Sequence, residues 1–181
     1  GLTQVLDLVR EAGLSVPVVL FSYLNPIMAA GQDVLERAAQ AGVHGLLLTD
    51  LPVGADPVRE AWVGAGPLAF VRLVAPTTPA DRMREIAHHG RGFVYLISRL
   101  GVTGMQHDVA SDLPETIARL RGATDLPICV GFGVSTGAQA QAIGRLADGI
   151  VVGSAIVKAA EAGVDAAHAL TVELRRALDS I

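Results

Sequence analysis

Cysteine is almost missing from this chain. Cys129 is the single one, so no internal disulfide can form. Its setting in Leu126-Pro127-Ile128-Cys129-Val130 reads as a buried strand position, and no chemistry is assigned to it. Aromatic residues make up 4% and charged residues 18% of 181, against 51% hydrophobic, so a real core can form without a membrane protein's composition. No apolar run reaches the roughly 18 to 20 residues of a spanning helix, and the chain opens on a polar, helix-like segment instead of a signal peptide. Excess basic charge is lacking too. The formal net charge is −4 with the basic residues dispersed over helices, which argues against nucleic acid or anionic lipid as the main partner and leaves room for a small anion. His44, His88, His89, His107 and His168 show no ligand spacing with cysteine or acidic residues, so no metal site is indicated. The expectation is one soluble, cytoplasmic domain over residues 1–181. The first residue is glycine, not methionine, as expected of a processed chain or one entered partway.

What is abundant is short runs of Val, Ile and Leu alternating with longer amphipathic stretches. That is the pattern of strands buried on both faces and linked by crossover helices. Strands are expected at 16–23, 43–50, 68–75, 92–98, 126–133 and 149–153. Helices are expected at 3–12, 33–41, 55–63, 79–89, 114–122, 136–146 and 166–180. Thr78 before Pro79, and Ser135 with Gln139, read as helix starts. Gly13, Gly42, Gly66 and Gly90 read as left-handed stops. The unit repeats every 25 to 30 residues or so. An eight-stranded barrel takes about 250 residues, so six strands leave about two βα units unaccounted for, and the leading helix without a strand puts the shortfall at the front. An open doubly wound sheet would need no missing part, and the period alone leaves both open.

The last two strand ends favour the barrel. Val130-Gly131-Phe132-Gly133-Val134-Ser135 ends a strand in a glycine-rich turn, and Gly153-Ser154-Ala155-Ile156-Val157-Lys158 ends the next and enters a short helix. Gly133 and Gly153 let the main chain approach an anion, Ser154 adds a hydroxyl, and the helix start adds its dipole. Barrels place a phosphate after strands seven and eight, which makes the visible strands three to eight. Ser98-Arg99-Leu100-Gly101-Val102-Thr103-Gly104-Met105 reads as a lid that would carry Thr103 and Gly104 to the ligand, with an ordinary surface loop as the alternative.

In order along the chain stand Tyr23-Leu24-Asn25-Pro26, Leu47-Leu48-Thr49-Asp50-Leu51-Pro52, Val74-Ala75-Pro76-Thr77-Thr78-Pro79, Gly92-Phe93-Val94-Tyr95, Gly101-Val102-Thr103-Gly104, Gly131-Phe132-Gly133 and Gly153-Ser154-Ala155. In combination these motifs resemble the tryptophan synthase alpha-subunit family. The resemblance implies an α/β fold of the (β/α)8 TIM-barrel family and retro-aldol cleavage of indole-3-glycerol phosphate to indole and glyceraldehyde 3-phosphate without metal or organic cofactor. It also implies a beta-subunit partner in an alpha2beta2 complex, faced by Asn25 and Pro52. Gly104, Gly133, Gly153 and Ser154 should then hold the phosphate, and Thr103 should belong to the lid. Tyr23, Leu47, Leu73, Tyr95 and Phe132, joined by Phe21, should line the indole pocket.

The reaction needs positioned acid and base groups. The family's two carboxylates belong to strand two and the loop after it, and no equivalent acidic motif stands before Val16. The expectation is therefore no catalytic residue among these 181, with sites that bind substrate without transforming it. Asp50 could act as a base, as in a phosphosugar isomerase, but is better read as fixing the following loop or an interface. A non-catalytic phosphate-binding partner of a beta subunit is the other alternative. Lys158 could add charge near the phosphate or lie in solvent, Trp62 reads as packing, and Arg99 as a lid contact or a structural ion pair.

Overall fold

A computed structural model describes residues 1–97, 112–131 and 133–181. Its elements run α1 (Leu2–Ala12), β1 (Val18–Ser22), α2 (Leu24–Ala29), α3 (Val34–Gln40), β2 (Val43–Leu48), α4 (Pro57–Ala65), β3 (Ala69–Val74), α5 (Ala80–His88), β4 (Val94–Ile97), α6 (Leu113–Arg121), β5 (Ile128–Gly131), α7 (Gly137–Gly144), β6 (Gly149–Val151), α8 (Ser154–Glu161) and α9 (Val164–Asp179). The six expected strands are all there, each shorter than its apolar run. Pro17 and Pro127 have no N–H for a ladder, so β1 and β5 begin just after them. Helix α2 is not among the helices expected from the sequence. It forms as a short helix with Ile27 buried beneath it and the Leu24 N–H donating to Asp50 Oδ1 at 2.7 Å. The expected lid, with Arg99, Thr103 and Gly104, and also Phe132, lie outside the described residues.

Contacts group the chain into two compact units, Gly1–Leu73 with Glu85–Val94, and Val74–Arg84 with Tyr95–Ile181. In the first, β1, β2 and β3 lie side by side in chain order and parallel. Successive side chains of a strand point to opposite faces, and the burial follows that rule. Leu46, Leu48, Leu68 and Phe70 join one core with Leu6, Ile27, Val34 and Leu35 beneath the helices. Leu47 and Val71 are as deeply buried but stand outside that cluster, on the other face. A bulge at the start of β1 and β2 resets the alternation, with Val18 opposite Val43 and Val19 opposite Gly45. Trp62 is half-buried against the same core, as packing.

In the second unit the strand order is again that of the chain, and β5 pairs with β6 in parallel. Helices α7 and α9 approach closely because a Cβ on Gly144 would lie 2.6 Å from Leu178. Cys129 proves half-buried, not fully buried. Burial and then the nearby Asp148 carboxylate push its thiol pKa up, which leaves it protonated and inert.

Two expected helix signals fall elsewhere. Helix α7 starts at Thr136, one residue later than Ser135 suggested. Thr136 accepts from the Gln139 N–H at 3.3 Å, while Gln139 Oε1 accepts from the Ser135 and Thr136 N–H groups at 2.9 and 3.2 Å. The Thr78 hydroxyl accepts from the Ala75 N–H at 3.2 Å, so it closes a turn after β3. Of the four expected glycine stops, Gly13 and Gly42 have positive φ, whereas Gly66 is extended. Gly66 and Gly90 are small for lack of room, since a Cβ would meet Leu35 at 2.8 Å in the first case and Arg72 at 3.2 Å in the second.

One buried charge organises the first unit, and the sequence did not announce it. Arg72 on β3 is 4% exposed and Glu60 on α4 is 9% exposed. Arg72 Nη2 donates to Glu60 Oε2, Nη1 to the Leu51 carbonyl and Nε to the His89 carbonyl, each at 3.1 Å. Its guanidinium also stacks 3.7 Å from the Phe70 ring centroid. Burial pulls the guanidinium below its ordinary pKa, and the Glu60 carboxylate opposes that pull. Removing one partner would leave an uncompensated buried charge. Glu60→Ala should therefore lower unfolding free energy by about 3 to 5 kcal/mol in urea titration. Arg175→Ala, which breaks an exposed i,i+4 pair with Asp179, should cost under about 0.5 kcal/mol.

Candidate functional site

Among the described residues expected to bind substrate, Leu47, Leu73 and Tyr95 lie on strands β2, β3 and β4, and Tyr23, Gly133, Gly153 and Ser154 follow the ends of β1, β5 and β6. In the first unit, register places Phe21 opposite Leu47, and Leu47 opposite Val71. Leu47 is buried at 2% exposure, Leu73 is half-buried, and Phe21 and Tyr23 are 60% and 64% exposed. An apolar floor at Leu47 thus runs out to two exposed aromatic rings on β1 and just after it. Asn25 and Pro52 are both exposed, on α2 and on the loop after β2. Asp50 is committed to structure: it holds the start of α2 through the Leu24 N–H. That is a loop-fixing role, as the sequence suggested, but for the loop after β1, not the one following Asp50.

In the second unit Tyr95 is 7% exposed on β4, and burial raises its phenol pKa, which keeps it neutral. Its ring lies over Gly131 on β5. A Cβ at Gly131 would stand 2.5 Å from the Tyr95 hydroxyl and 2.9 Å from the Val151 Cβ. Gly131 was read only as part of a turn motif; a glycine inside an apolar strand run was the signal of a close approach. Gly133, two residues beyond the end of β5, has a φ of 81°, a conformation that favours glycine.

The two helix starts after β5 and β6 differ in a way that sequence did not resolve. Helix α7 is capped from within: Thr136 and Gln139 take donors at its start, and Glu173 Oε1 accepts from the Gly137 N–H at 2.8 Å. Helix α8 has Gly153 at its N-cap and no side-chain cap. Gly153 and Ser154 are exposed, and a Cβ on Gly153 would meet nothing within 4 Å. The α8 start thus has no side-chain cap, so its first N–H groups are not taken by a capping side chain as those of α7 are. Lys158 is exposed near the end of the same helix.

A concavity lies elsewhere in the first unit. A groove of about 560 Å³ in the first unit is lined by Gly54, Glu60, Phe70, Arg72, His88 and Arg91, among others. A groove of this kind is a candidate site, but none of the residues expected to bind substrate lines it. The buried charges in its wall already satisfy each other, and the Arg91 guanidinium is spent on the Gly64, Gly66 and Leu68 carbonyls. We therefore favour the strand ends. Among the described residues no three His, Cys, Asp or Glu side chains are grouped to hold a metal ion. No helix there is long and apolar enough to cross a membrane.

Comparison with known proteins gives a consistent picture. The family described as "Tryptophan synthase alpha chain" matches residues 1–179. The alpha chain of Opitutus terrae is 42% identical over 160 residues, covering 88% of this chain and 60% of that protein. The tryptophan synthase of Saccharomyces cerevisiae is 42% identical over 161 residues, covering 86% of this chain and 23% of that protein. Among solved structures, tryptophan synthase from M. tuberculosis in an open form with BRD0059 bound superposes with a TM-score of 0.85 at 31% identity, covering 98% of this chain and 68% of that one. The chain spans about three-fifths of the length of the curated alpha chains it matches.

The Gly131 contact generates a stability test. Gly131→Ala should cost about 1 to 3 kcal/mol in denaturant unfolding, because a new methyl group must displace the Tyr95 ring and press on β6. An unchanged midpoint would show that the strand and ring are not held as described.

Proposed function

The chain belongs to the tryptophan synthase alpha chain family, and from that premise we propose that residues 1–181 form the substrate-binding part of a β/α-barrel lyase. The reaction is retro-aldol cleavage of indole-3-glycerol phosphate to indole and glyceraldehyde 3-phosphate. The observation that carries the reading is the uncapped start of α8 at Gly153-Ser154, available to an anion while the α7 start is capped by Thr136 and by Glu173 of α9. The phosphate binds there, together with Gly133 and, from the lid, Thr103 and Gly104. The indole ring lies on Leu47 and Leu73, with Tyr23, Phe21, Tyr95 and Phe132 around it. Apolar side chains exclude water from the ring while the anion site fixes the other end of the substrate, so binding energy is spent on orientation.

No carboxylate among the described residues is offered as the acid or base. Asp50 already accepts a backbone N–H, which also weakens the isomerase alternative. The acid–base pair is supplied by residues other than these 181. Asn25 and Pro52, both exposed, face a beta subunit that receives the indole, and the reaction takes place in the cytoplasm.

Two measurements test this reading. The full-length protein should release indole from indole-3-glycerol phosphate, while a polypeptide of residues 1–181 should release none above background. Normal turnover by the short polypeptide would overturn the assignment and point to Asp50. In the full-length protein Gly153→Ala should leave stability within about 0.5 kcal/mol, since its methyl meets open space. It should nonetheless weaken substrate or inorganic phosphate binding about tenfold or more, because the methyl occupies the anion's place at charge-assisted donors.

A further inference from the structure

Glu173 on α9 carries no signal in the sequence, yet it reaches across 36 positions of chain to the loop that holds Gly133. Its Oε1 accepts from the N–H of Gly137, the first residue of α7, at 2.8 Å. Helix α7 does not require this bond. It has a capping box of its own, in which Thr136 accepts from the Gln139 N–H and the Gln139 side chain accepts from the Thr136 N–H. Core packing does not require it either, since Glu173 is exposed while its neighbour Leu174 is buried. What the bond adds is a tie between α9 and the loop after β5. From Val134 to Gly137 that loop is fastened at each residue: Val134 is buried, Ser135 and Thr136 donate to Gln139 Oε1, and Gly137 donates to Glu173. Gly133 stands exposed where this fastened run begins.

The placement of α9 is the second observation. It packs against both α7 and α8, and only Ala162 and Gly163 separate it from the end of α8. Small residues let it come close to α7. A Cβ on Gly137 would stand 3.1 Å from Glu173 Oε1 and 3.4 Å from the Ala177 Cβ, and one on Gly144 would stand 2.6 Å from Leu178. The start of α8 at Gly153 and the loop at Gly133 are thus linked through one helix, which a short turn joins to α8 and Glu173 joins to the start of α7.

We propose that Glu173 is a positioning residue for the phosphate end of the substrate. Through the Gly137 N–H it holds the 133–136 loop where Gly133 shares one anion with the Gly153-Ser154 start of α8. The inference rests on the substrate reading above and assigns Glu173 no contact with the ligand. Shared donors demand accurate placement, because N–H···O bonds form over a distance range of only about half an ångström. Gln139 can fasten the loop to its own helix and no further. A carboxylate reaching from α9 fixes that helix start with a charge-assisted bond to the element that also braces α8.

The test measures inorganic phosphate binding by calorimetry, and steady-state kinetics with indole-3-glycerol phosphate, on the full-length protein and its variants. Glu173→Ala should weaken phosphate binding about three- to tenfold and raise KM by a similar factor, with kcat within about twofold of wild type. Glu173→Gln keeps an acceptor at the same reach and should bind phosphate within about twofold of wild type or more tightly. Glu173→Asp keeps the charge but is one methylene short, so it should behave as Glu173→Ala does, and it carries the test if the alanine variant does not fold. Gln141→Ala is the control for helix packing. It removes a 2.9 Å bond to Ser180 one turn further along the same helix pair, and whatever its Tm it should leave phosphate affinity within about twofold. Wild-type phosphate affinity in both Glu173→Ala and Glu173→Asp, or an equal loss in Gln141→Ala, would overturn the inference and leave the substrate reading standing. If wild type binds no phosphate, or Gly153→Ala binds it unchanged, the substrate reading fails and this inference falls with it.

Discussion

Arg72 enters the interior of the first unit from the middle of β3, and the segments around it are arranged to satisfy it. A guanidinium cannot shed its charge on burial as a carboxylate can, so a set of acceptors must be brought to it. Glu60 comes from α4, the Leu51 carbonyl from the loop after β2, and the His89 carbonyl from the end of α5. Glu60 in turn accepts the Gly54 N–H at 2.8 Å. One charge therefore ties a strand, two helix regions and a loop into a single arrangement. Helix α4 cannot slide along the sheet without stranding that charge, and the loop that carries Pro52 is held at both ends.

The exposed strand ends can carry reactive or binding groups because of that rigidity. Leu47 and Val71 lie side by side on the face opposite the helix-side core, so their positions follow from the sheet and not from a flexible loop. The two helices of the second unit that follow β5 and β6 start differently. At α7 the Gly137 and Gln139 N–H groups are taken by Glu173 of α9 and by Thr136, while Gln139 accepts from Ser135 and Thr136, and α8 has no side-chain cap. Two consecutive helices with similar glycine-rich approaches thus differ at their starts because of which side chains reach the backbone there.

Much of the architecture was legible in the sequence. Runs such as Val43-His44-Gly45-Leu46-Leu47-Leu48 bury both faces of a strand, and the amphipathic stretches between them cover those faces, so their alternation follows from hydrophobic burial alone. Local chemistry was less legible wherever two choices of similar energy compete. Ser135 and Thr136 both offer a cap, and only the reach of Gln139 selects between them. Gly66 and Gly90 mark helix ends because Leu35 and Arg72 fill the space a side chain would need, which no local propensity records.

Sequence by itself determined the order and kind of elements, the strand-end positions of Tyr23, Leu47, Leu73, Tyr95, Gly133 and Gly153, and the family likeness carried by the motifs, because these depend on neighbours within a few residues. Tertiary structure decided the rest. It set Glu60 against Arg72 across 12 positions of chain and Asp50 against Leu24 across 26. Those outcomes depend on which segments meet in space, and a hydrogen bond's worth is decided by the partner it finds there.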